Sequence, residues 1–451
     1  MVELSFDALN TILNTHITES GVIQGINIDS REIALGNLFV AIKGQRVDGH
    51  EYIEKAFEKG ASAALVSRPV KASIPCFVVP DVVLALGKIA TYWREQFDIP
   101  VIGLTGSNGK TTTKNMIAMI LQKACGDESD KVLATPGTWN NQISLPLNLC
   151  HLNQSHRYAV LEMGMDHFGE ISALTHIVQP QVAMVLNAFP SHLAGVGTVA
   201  GVAKAKAEIF EGLQEGGTAV LNADSPFYDY WRHQASTFHQ VTFGINAIAA
   251  VRAEQIQLLE DSSRFVLCID GQSVSIRLSL LGKHNVMNAL GAAAACSSIG
   301  LDLKTIRAGL EAVKPELQRL QLHFSKEGAC ILDDSYNANP ASLAAAIDVL
   351  ARRPGVKILA LGDMKELGDT ERQLHQEMGR YAKEAGIDYL YAVGELTKEA
   401  VEAFGEGALF FPSKAALVEY LKPRLQKNMS VLAKGSHFSM HMEEVVHSLL
   451  K

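Results

Sequence analysis

The sequence predicts an α/β protein built from three domains. Three observations carry that expectation. The chain has 451 residues, 47% of them hydrophobic and 20% charged, which is too long for one ordinary core and is the composition of a globular protein. Short apolar runs alternate with helix-period patterns over most of the length, as in βα units on a largely parallel sheet. The alternation falls into three blocks, residues 1–97, 98–313 and 314–451.

In the first block the strand candidates are "GINID", "NLFVAIKG", "AALVS" and "CFVV". The stretch "LGKIATYWREQFDIP" reads as a connecting helix ended by Pro100. The middle block carries longer strands, "VIGLTG", "YAVLEMG", "VAMVLN" and "TAVLN". A strand-rich section follows at about 238–282, then the helix candidate "NVMNALGAAAACSSIG". After "EAVKPELQR" the strands "ACILDD", "VKILALGD", "YLYAVG", "ALFFP" and "MSVLAKG" alternate with helices, which predicts a doubly wound, Rossmann-like domain. Ligands in such sheets bind beyond the carboxyl ends of the strands, where Asp333, Asp334, Asp363 and Lys434 gather.

Net charge is -8 with no basic block, which argues against nucleic acid as a partner. Six cysteines form no C-x-x-C pair, so neither a zinc site nor a disulfide framework is indicated. The N-terminal "MVELSFDALNTIL" lacks the basic start of a signal peptide, and no apolar run reaches the roughly 18 residues that span a bilayer. A cytoplasmic enzyme is the expectation.

The strongest chemical signal is "GLTGSNGKTTTK", Gly103 to Lys114, between an apolar strand and an apolar-periodic helix. Gly106, Ser107, Asn108, Gly109, Lys110, Thr111 and Thr112 are the candidate nucleotide contacts. The glycines let backbone N–H groups wrap an anion at the positive end of a helix. Lys110 can reach the β- and γ-phosphates, and Thr111 can ligate Mg²⁺. The widespread pattern G-x-x-x-x-G-K-[ST] is not met, because Leu104 stands where it needs a glycine. Glu162 ends the apolar run "YAVLE", where a carboxylate can hold Mg²⁺ or be an ordinary strand end. His192 follows another strand.

Lys206 is the most informative residue. In "TVAGVAKAKAEIFEGL", Val199, Val202, Ala203, Ile209, Phe210 and Leu213 form the apolar stripe of a helix, and Lys206 sits within it. Lys204, Glu208 and Glu211 fall on the other face, with Lys204 and Glu208 spaced as an i,i+4 pair. An ammonium on a buried face is costly, so it must be paired, deprotonated or chemically changed, unless it snorkels along the helix edge. In "LGKHNVMNAL", His284, Asn285 and Asn288 share a face near a helix start, where amides read an adenine edge or cap the helix. "DDSYNANP" crowds Asp334, Ser335, Tyr336, Asn337 and Asn339 between strand and helix, through ligand binding or through turn formation.

These motifs together resemble the Mur ligases, ATP-dependent amide-forming enzymes that build the peptide of bacterial cell-wall precursors. Their phosphate loop is T-G-x-x-G-K-[ST], here "TGSNGKT", which accounts for the missing glycine. "DSREIALGNLFVAIKGQRVDGHEYI", "EMGMDHFGEI", "GVAKAKAEIF", "LGKHNVMNAL", "DDSYNANPASL" and "GDMKELG" follow in family order over nearly the whole chain. The pair "DDSYNANP" and "GDMKELG" looks like the family member that adds D-Ala-D-Ala, and the D-N-P-R segment of the ligase that adds the third amino acid is missing. Folylpolyglutamate synthase shares much of the fold but not the N-terminal block.

The resemblance implies a small N-terminal UDP-binding domain, a central ATP-binding domain and a C-terminal ligase domain. It implies ligation of D-Ala-D-Ala to UDP-MurNAc-tripeptide through an acyl phosphate, with ATP and Mg²⁺, by a monomer. Addition of a single amino acid, or a folylpolyglutamate-synthase-like reaction, is the alternative. Lys110, His192 and Lys206 would be catalytic. Thr111 and Glu162 would hold one Mg²⁺, and His192 with a carbamoylated Lys206 the other. Asn285 and Asn337 would lie near the adenine, and Asp334 near the ribose or a hinge. Ser30, Arg31, Asp48 and His50 would line the UDP-sugar pocket, and Lys434 would face the site from the last domain. Two positions depart from the family: Ala194 stands where an acidic residue is common, and Gln318 where a glycine often precedes the arginine here numbered Arg319.

Overall fold

The computed structural model describes residues 1–451 apart from the side chains of His437 and Phe438. Three mainly parallel sheets succeed one another along the chain, and a small antiparallel ribbon accompanies the first. No helix among the described residues is long and apolar enough to cross a membrane.

The first sheet orders Ile26–Asn27, Leu38–Val40, Ala63–Val66 and Cys76–Val78, all parallel. The expected strand "GINID", residues 25–29, is present as the short strand Ile26–Asn27. Val22–Gln24 pairs antiparallel with Glu3–Ser5, and the parallel sheet starts afresh at Ile26. Gly25 makes the break at φ 97°, where a Cβ would stand 2.7 Å from the Asn37 amide. The connecting helix runs Val82–Arg94 and starts earlier than expected, because the Asp81 carboxylate accepts the N–H groups of Val83 and Leu84.

The nine-stranded central sheet contains all four expected strands. Val182–Val185, Val101–Thr105, Tyr158–Glu162 and Val132–Ala134 lie side by side and parallel. Thr218–Asn222, His239–Gly244 and Val251–Leu258 continue the parallel part on the other side, and Ser263–Ile269 and Gln272–Leu278 close it antiparallel. Every residue of Val101–Thr105 is buried, which explains an unbroken apolar run rather than an alternating one. The edge strand Val132–Ala134 escaped the sequence reading. It has three residues and follows the charged "GDESDK".

The last sheet orders Gln321–Phe324, Cys330–Asp333, Met429–Lys434, Val356–Gly362, Tyr389–Val393 and Ala408–Phe411. Only the first, an unforeseen and largely half-buried edge strand, is antiparallel. Alternate residues feed two cores on opposite faces: Leu332, Leu359 and Leu361 in one, Ile331, Ile358 and Ala360 in the other. That is the doubly wound arrangement the alternation predicted.

The phosphate-loop helix, Lys110–Ala124, is held from behind by Lys283–Ser298 and Leu303–Ala312. The contact with the latter is made backbone to backbone at Gly309, where a Cβ would meet Ile120 Cα at 2.4 Å. Neither helix can yield locally. Gly309→Ala is therefore expected to destabilise the central domain by at least about 2 kcal/mol. An unchanged urea midpoint for the unfolding of that domain would contradict this packing.

Candidate active site

Three adjacent strands of the central sheet aim their carboxyl ends at one place. Val101–Thr105 ends in the phosphate loop, Tyr158–Glu162 ends in Glu162, and Val182–Val185 runs on to His192. A cavity of about 1270 Å³ opens there. It is lined by Ser107 to Thr112, Glu162, His192, Lys206, Asn285, Asp334, Asn337 and Lys434.

The loop's shape is enforced by glycine and by one asparagine. Gly109 caps the helix at φ 81°, and a Cβ there would stand 2.4 Å from Asn288 Oδ1. Gly106 packs against Leu186 with room for no side chain. Asn187 brackets the loop: its Oδ1 accepts from Asn108 N at 2.9 Å and its Nδ2 donates to Asn108 O at 3.0 Å. Ser107 N donates to Asn187 O at 3.2 Å. Lys110 folds back so that Nζ donates to Gly106 O at 2.8 Å. Burial lowers its pKa, and Glu162 opposes the shift.

Glu162 is 1% exposed. Its Oε1 accepts from Asn140 Nδ2 at 2.8 Å, while Oε2 is buried without a hydrogen-bond partner. A bare carboxylate oxygen in the interior is a deficit that a hard cation would remove. The Thr111 hydroxyl lines the same cavity, so the donors suit Mg²⁺.

His192 takes a left-handed backbone, φ 53°. Its Nδ1 lies 2.9 Å from Asp166 Oδ1 and 3.4 Å from Glu366 Oε2. Burial, with the charges of Lys110 and Lys206, pushes its pKa down to about 4 against the pull of Asp166. The ring is therefore neutral at pH 7, the form that can bind a metal. Ala194 offers no carboxylate, and those near the imidazole come from Asp166 and Glu366 instead.

Lys206 is 1% exposed, as its place on the apolar stripe required. Burial and the charge of Lys110 drive its pKa well below the usual lysine range, with Glu162 opposing. The helix is shorter than the periodicity suggested: α-helix at Val199–Ala207, then a 3-10 turn at Glu208–Gly212. The i,i+4 pair does not form. Glu208 accepts from the N–H groups of Gly169 and Ser172, and Lys204 lies over the Phe168 ring, 5.8 Å from its centroid.

The Asn285 amide donates to Leu281 O at 2.8 Å and accepts from Asn288 Nδ2 at 3.0 Å. In this structure the pair braces the helix start and Gly109 while bordering the cavity. Asp334 and Lys434 form a buried ion pair, and Lys434 Nζ also donates to Asn337 O at 2.9 Å. Leu320 N donates to the second Asp334 oxygen at 3.1 Å. Asp334 thus braces the start of the last domain.

Ser30, Arg31, Asp48 and His50 lie outside the cavity. Ser30 is buried, and exposed Arg31 is paired with Asp29 at 2.6 Å. His50 Nδ1 contacts Asp48 at 2.7 Å, and Nε2 accepts from Ser67 N at 3.0 Å. Both ring nitrogens are thus engaged within the protein.

Arg319 holds a larger place than the sequence argument allowed it. Its guanidinium lies 4.1 Å from the Tyr336 ring centroid and donates to Thr111 Oγ1 at 3.2 Å. Gln318 and Leu320 on either side are left-handed, at φ 62° and 53°. The Asn108 and Asn339 amides exchange hydrogen bonds of 3.1 and 2.7 Å between the loop and the last domain. Asp166, Glu366, Asn140 and Asn187 were also missed. "GDMKELG" and "EMGMDHFGEI" contain two of them, but nothing in residue type or period marks any one.

Comparison with known proteins agrees with this architecture. The chain belongs to the Mur ligase family: the Mur ligase middle domain matches residues 104–296 and the Mur ligase, glutamate ligase domain matches residues 318–437. The Mur ligase family, catalytic domain matches residues 22–91. Within the family, the chain is 40% identical over 453 residues to the UDP-N-acetylmuramoyl-tripeptide--D-alanyl-D-alanine ligase of Escherichia coli (strain K12), covering 100% of this chain and 99% of that one. MurF from Acinetobacter baumannii superposes with a TM-score of 0.94 at 35% identity, covering 100% of this chain and 99% of that one. MurF ligase from Thermotoga maritima, in complex with ADP, gives 0.84 at 28% identity over 94% and 97% of the two chains.

Lys110 stands at the loop with its stem packed and its ammonium at the cavity. Lys110→Ala is expected to leave the fold intact and to abolish ATP turnover, the loss of a charge at the phosphates costing about 3 kcal/mol of barrier or more. Wild-type turnover by the folded variant would remove the loop from the reaction.

Proposed function

We propose that this chain is the ATP-dependent ligase that joins D-alanyl-D-alanine to UDP-N-acetylmuramoyl-tripeptide in peptidoglycan precursor synthesis. The observation that carries the reading is the meeting of Lys110, Glu162, His192 and Lys206 in the cavity between the phosphate loop and the last domain. The choice of substrates is supported by full-length relatives that bear that name, at 40% and 38% identity.

A carboxylate is a poor electrophile and must first be activated. A terminal carboxylate oxygen of the tripeptide attacks the γ-phosphorus, the bond to the ADP oxygen breaks, and an acyl phosphate results. The free amine of D-Ala-D-Ala then attacks the acyl carbon. The tetrahedral intermediate loses phosphate and a proton, leaving the amide. Loop N–H groups and Lys110 bind the phosphates and oppose the charge that accumulates on them. Arg319, bonded to Thr111 and stacked on Tyr336, brings the last domain over the loop and excludes the water that would hydrolyse the acyl phosphate. Lys434, held by Asp334, borders the cavity from the same domain.

Thr111 and Glu162 would hold one Mg²⁺, and His192 with a carbamoylated Lys206 a second. Bound Mg²⁺ supplies charge neutralisation at the phosphates. The buried Lys206 favours its neutral amine, which adds to CO₂ with loss of one proton and becomes an anionic carbamate. The cytoplasmic location and monomeric state expected from the sequence belong to the same reading.

Two outcomes are expected. With ATP, Mg²⁺ and UDP-MurNAc-tripeptide, D-Ala-D-Ala should be incorporated far better than D-alanine, L-lysine or glutamate, as read by product mass. A preference for glutamate or a lone diamino acid would place the chain elsewhere in the family. Lys206→Ala should nearly eliminate activity, and added acetate should restore part of it by supplying the lost carboxylate. Lys204→Ala, on the exposed face, should change little; the reverse pattern would refute the carbamate.

A further inference from the structure

A third lysine is buried beside the same site, and neither the loop motif nor the apolar stripe uses it. Lys114 lies one helical turn beyond Lys110 and is 2% exposed. Its Nζ donates to the carbonyls of Thr135 at 2.7 Å and Gly137 at 3.1 Å. Among the described residues no carboxylate lies within ion-pairing distance of it. An ammonium buried against neutral carbonyls, with no carboxylate to pair it, is costly.

The two carbonyls belong to the segment that follows the edge strand Val132–Ala134, and that segment is wrapped around Glu162. Thr135 Oγ1 accepts from Glu162 N at 2.9 Å. Asn140 Nδ2 donates to Glu162 Oε1 at 2.8 Å, and Asn140 O accepts from Gly164 N at 2.9 Å. The Asn140 amide is wedged there, because a Cβ on Gly164 would stand 2.8 Å from Asn140 Oδ1. Glu162 thus receives one oxygen's worth of hydrogen bonding from a segment that Lys114 clamps, and its other oxygen is left without a partner.

We propose that Lys114 is a positioning residue for the divalent cation: by clamping Thr135 and Gly137 it holds Asn140 on Glu162 Oε1 and keeps Oε2 available as a ligand. The inference rests on the reading of Glu162 as a cation ligand. Lys114 touches neither nucleotide nor cation in this role and acts only through Asn140. Its removal therefore weakens cation binding more than nucleotide binding.

The test measures Mn²⁺ binding to the full-length, ADP-saturated protein by water-proton relaxation, alongside the Mg²⁺ dependence of turnover and the KM for ATP. Lys114→Met, which leaves two carbonyls without their donor, is expected to lower the Tm modestly and to lose about tenfold or more in Mn²⁺ affinity, the usual effect of removing an outer-shell support. Its KM for ATP at saturating Mg²⁺ should hardly move. Asn140→Ala should show the same loss, and the double variant should be no worse than the worse single one, since both lie on one path. Lys114→Arg, which can still donate to two carbonyls, should recover most of the affinity. Should Lys114→Met not fold, Asn140→Ala and Lys114→Arg carry the comparison. Glu162→Gln separates the two readings. If it loses Mn²⁺ affinity while the Lys114 and Asn140 variants keep theirs, the positioning role is wrong, as it is if the two losses add. If Glu162→Gln also binds normally, the cation reading beneath the inference falls.

Discussion

Lys110, Lys114 and Lys206 share one buried carboxylate, Glu162, whose charge acts on all three. Much of the site depends on that imbalance. Burial disfavours every one of these ammonium groups; Asp166 also acts on Lys110 and Glu316 on Lys114, whereas Lys206 has Glu162 alone. Phosphates bound there, as proposed, would supply further anions. The lysines meet the same constraint in different ways. Lys110 bonds to Gly106 O and borders the cavity, Lys114 bonds to two carbonyls, and Lys206 is the one driven furthest from its usual range. Lys206 is accordingly the one best suited to give up its proton and react.

The parallel sheet is what lets so many polar groups converge. The strands Val182–Val185, Val101–Thr105, Tyr158–Glu162 and Val132–Ala134 are neighbours running the same way. Each delivers its following loop to the same edge: His192, the phosphate loop, Glu162, and the segment around Asn140. Parallel neighbours need helical crossovers, and those crossovers carry further groups. Lys110 and Lys114 stand on the helix after one strand, and Lys206 on the helix beyond another. Positions far apart in sequence are therefore fixed relative to one another by backbone hydrogen bonds rather than by side-chain contacts alone.

Legibility in the sequence followed this division. Strands buried on both faces announced themselves as apolar runs, and the phosphate loop by its glycines between strand and helix. Lys206 was legible because it breaks a pattern, a charge on an apolar stripe, and its burial followed from that. Asn140, Asn187 and Arg319 break no local pattern. Their significance lies in partners at 162, 108 and 111, which only the fold supplies. The strand Val132–Ala134 was too short to show a period, and so was Val22–Gln24, which only Gly25 separates from "GINID". Asp48 and His50 were assigned a UDP-sugar pocket through family resemblance; in the fold they hydrogen-bond to each other, and His50 also to Ser67, away from the central cavity.

The last domain contributes Asp334, Asn337 and Lys434 to the cavity lining, and its contacts reach the phosphate loop. Two of its contacts with the central domain fall on nucleotide-loop residues: Asn339 on Asn108, and Arg319 on Thr111. A third joins the Tyr336 hydroxyl to Thr138, in the segment that Lys114 clamps. The last domain therefore touches the loop and the surroundings of Glu162 together. Arg319 is aimed by two left-handed residues, Gln318 and Leu320, a backbone shape disfavoured for side chains of their size. Asp334 meets part of that cost by accepting from Leu320 N while paired with Lys434. The ion pair, the strained turn and the stacked arginine form one unit, so the domain that carries Lys434 to the cavity is the same rigid piece that reads the phosphate loop.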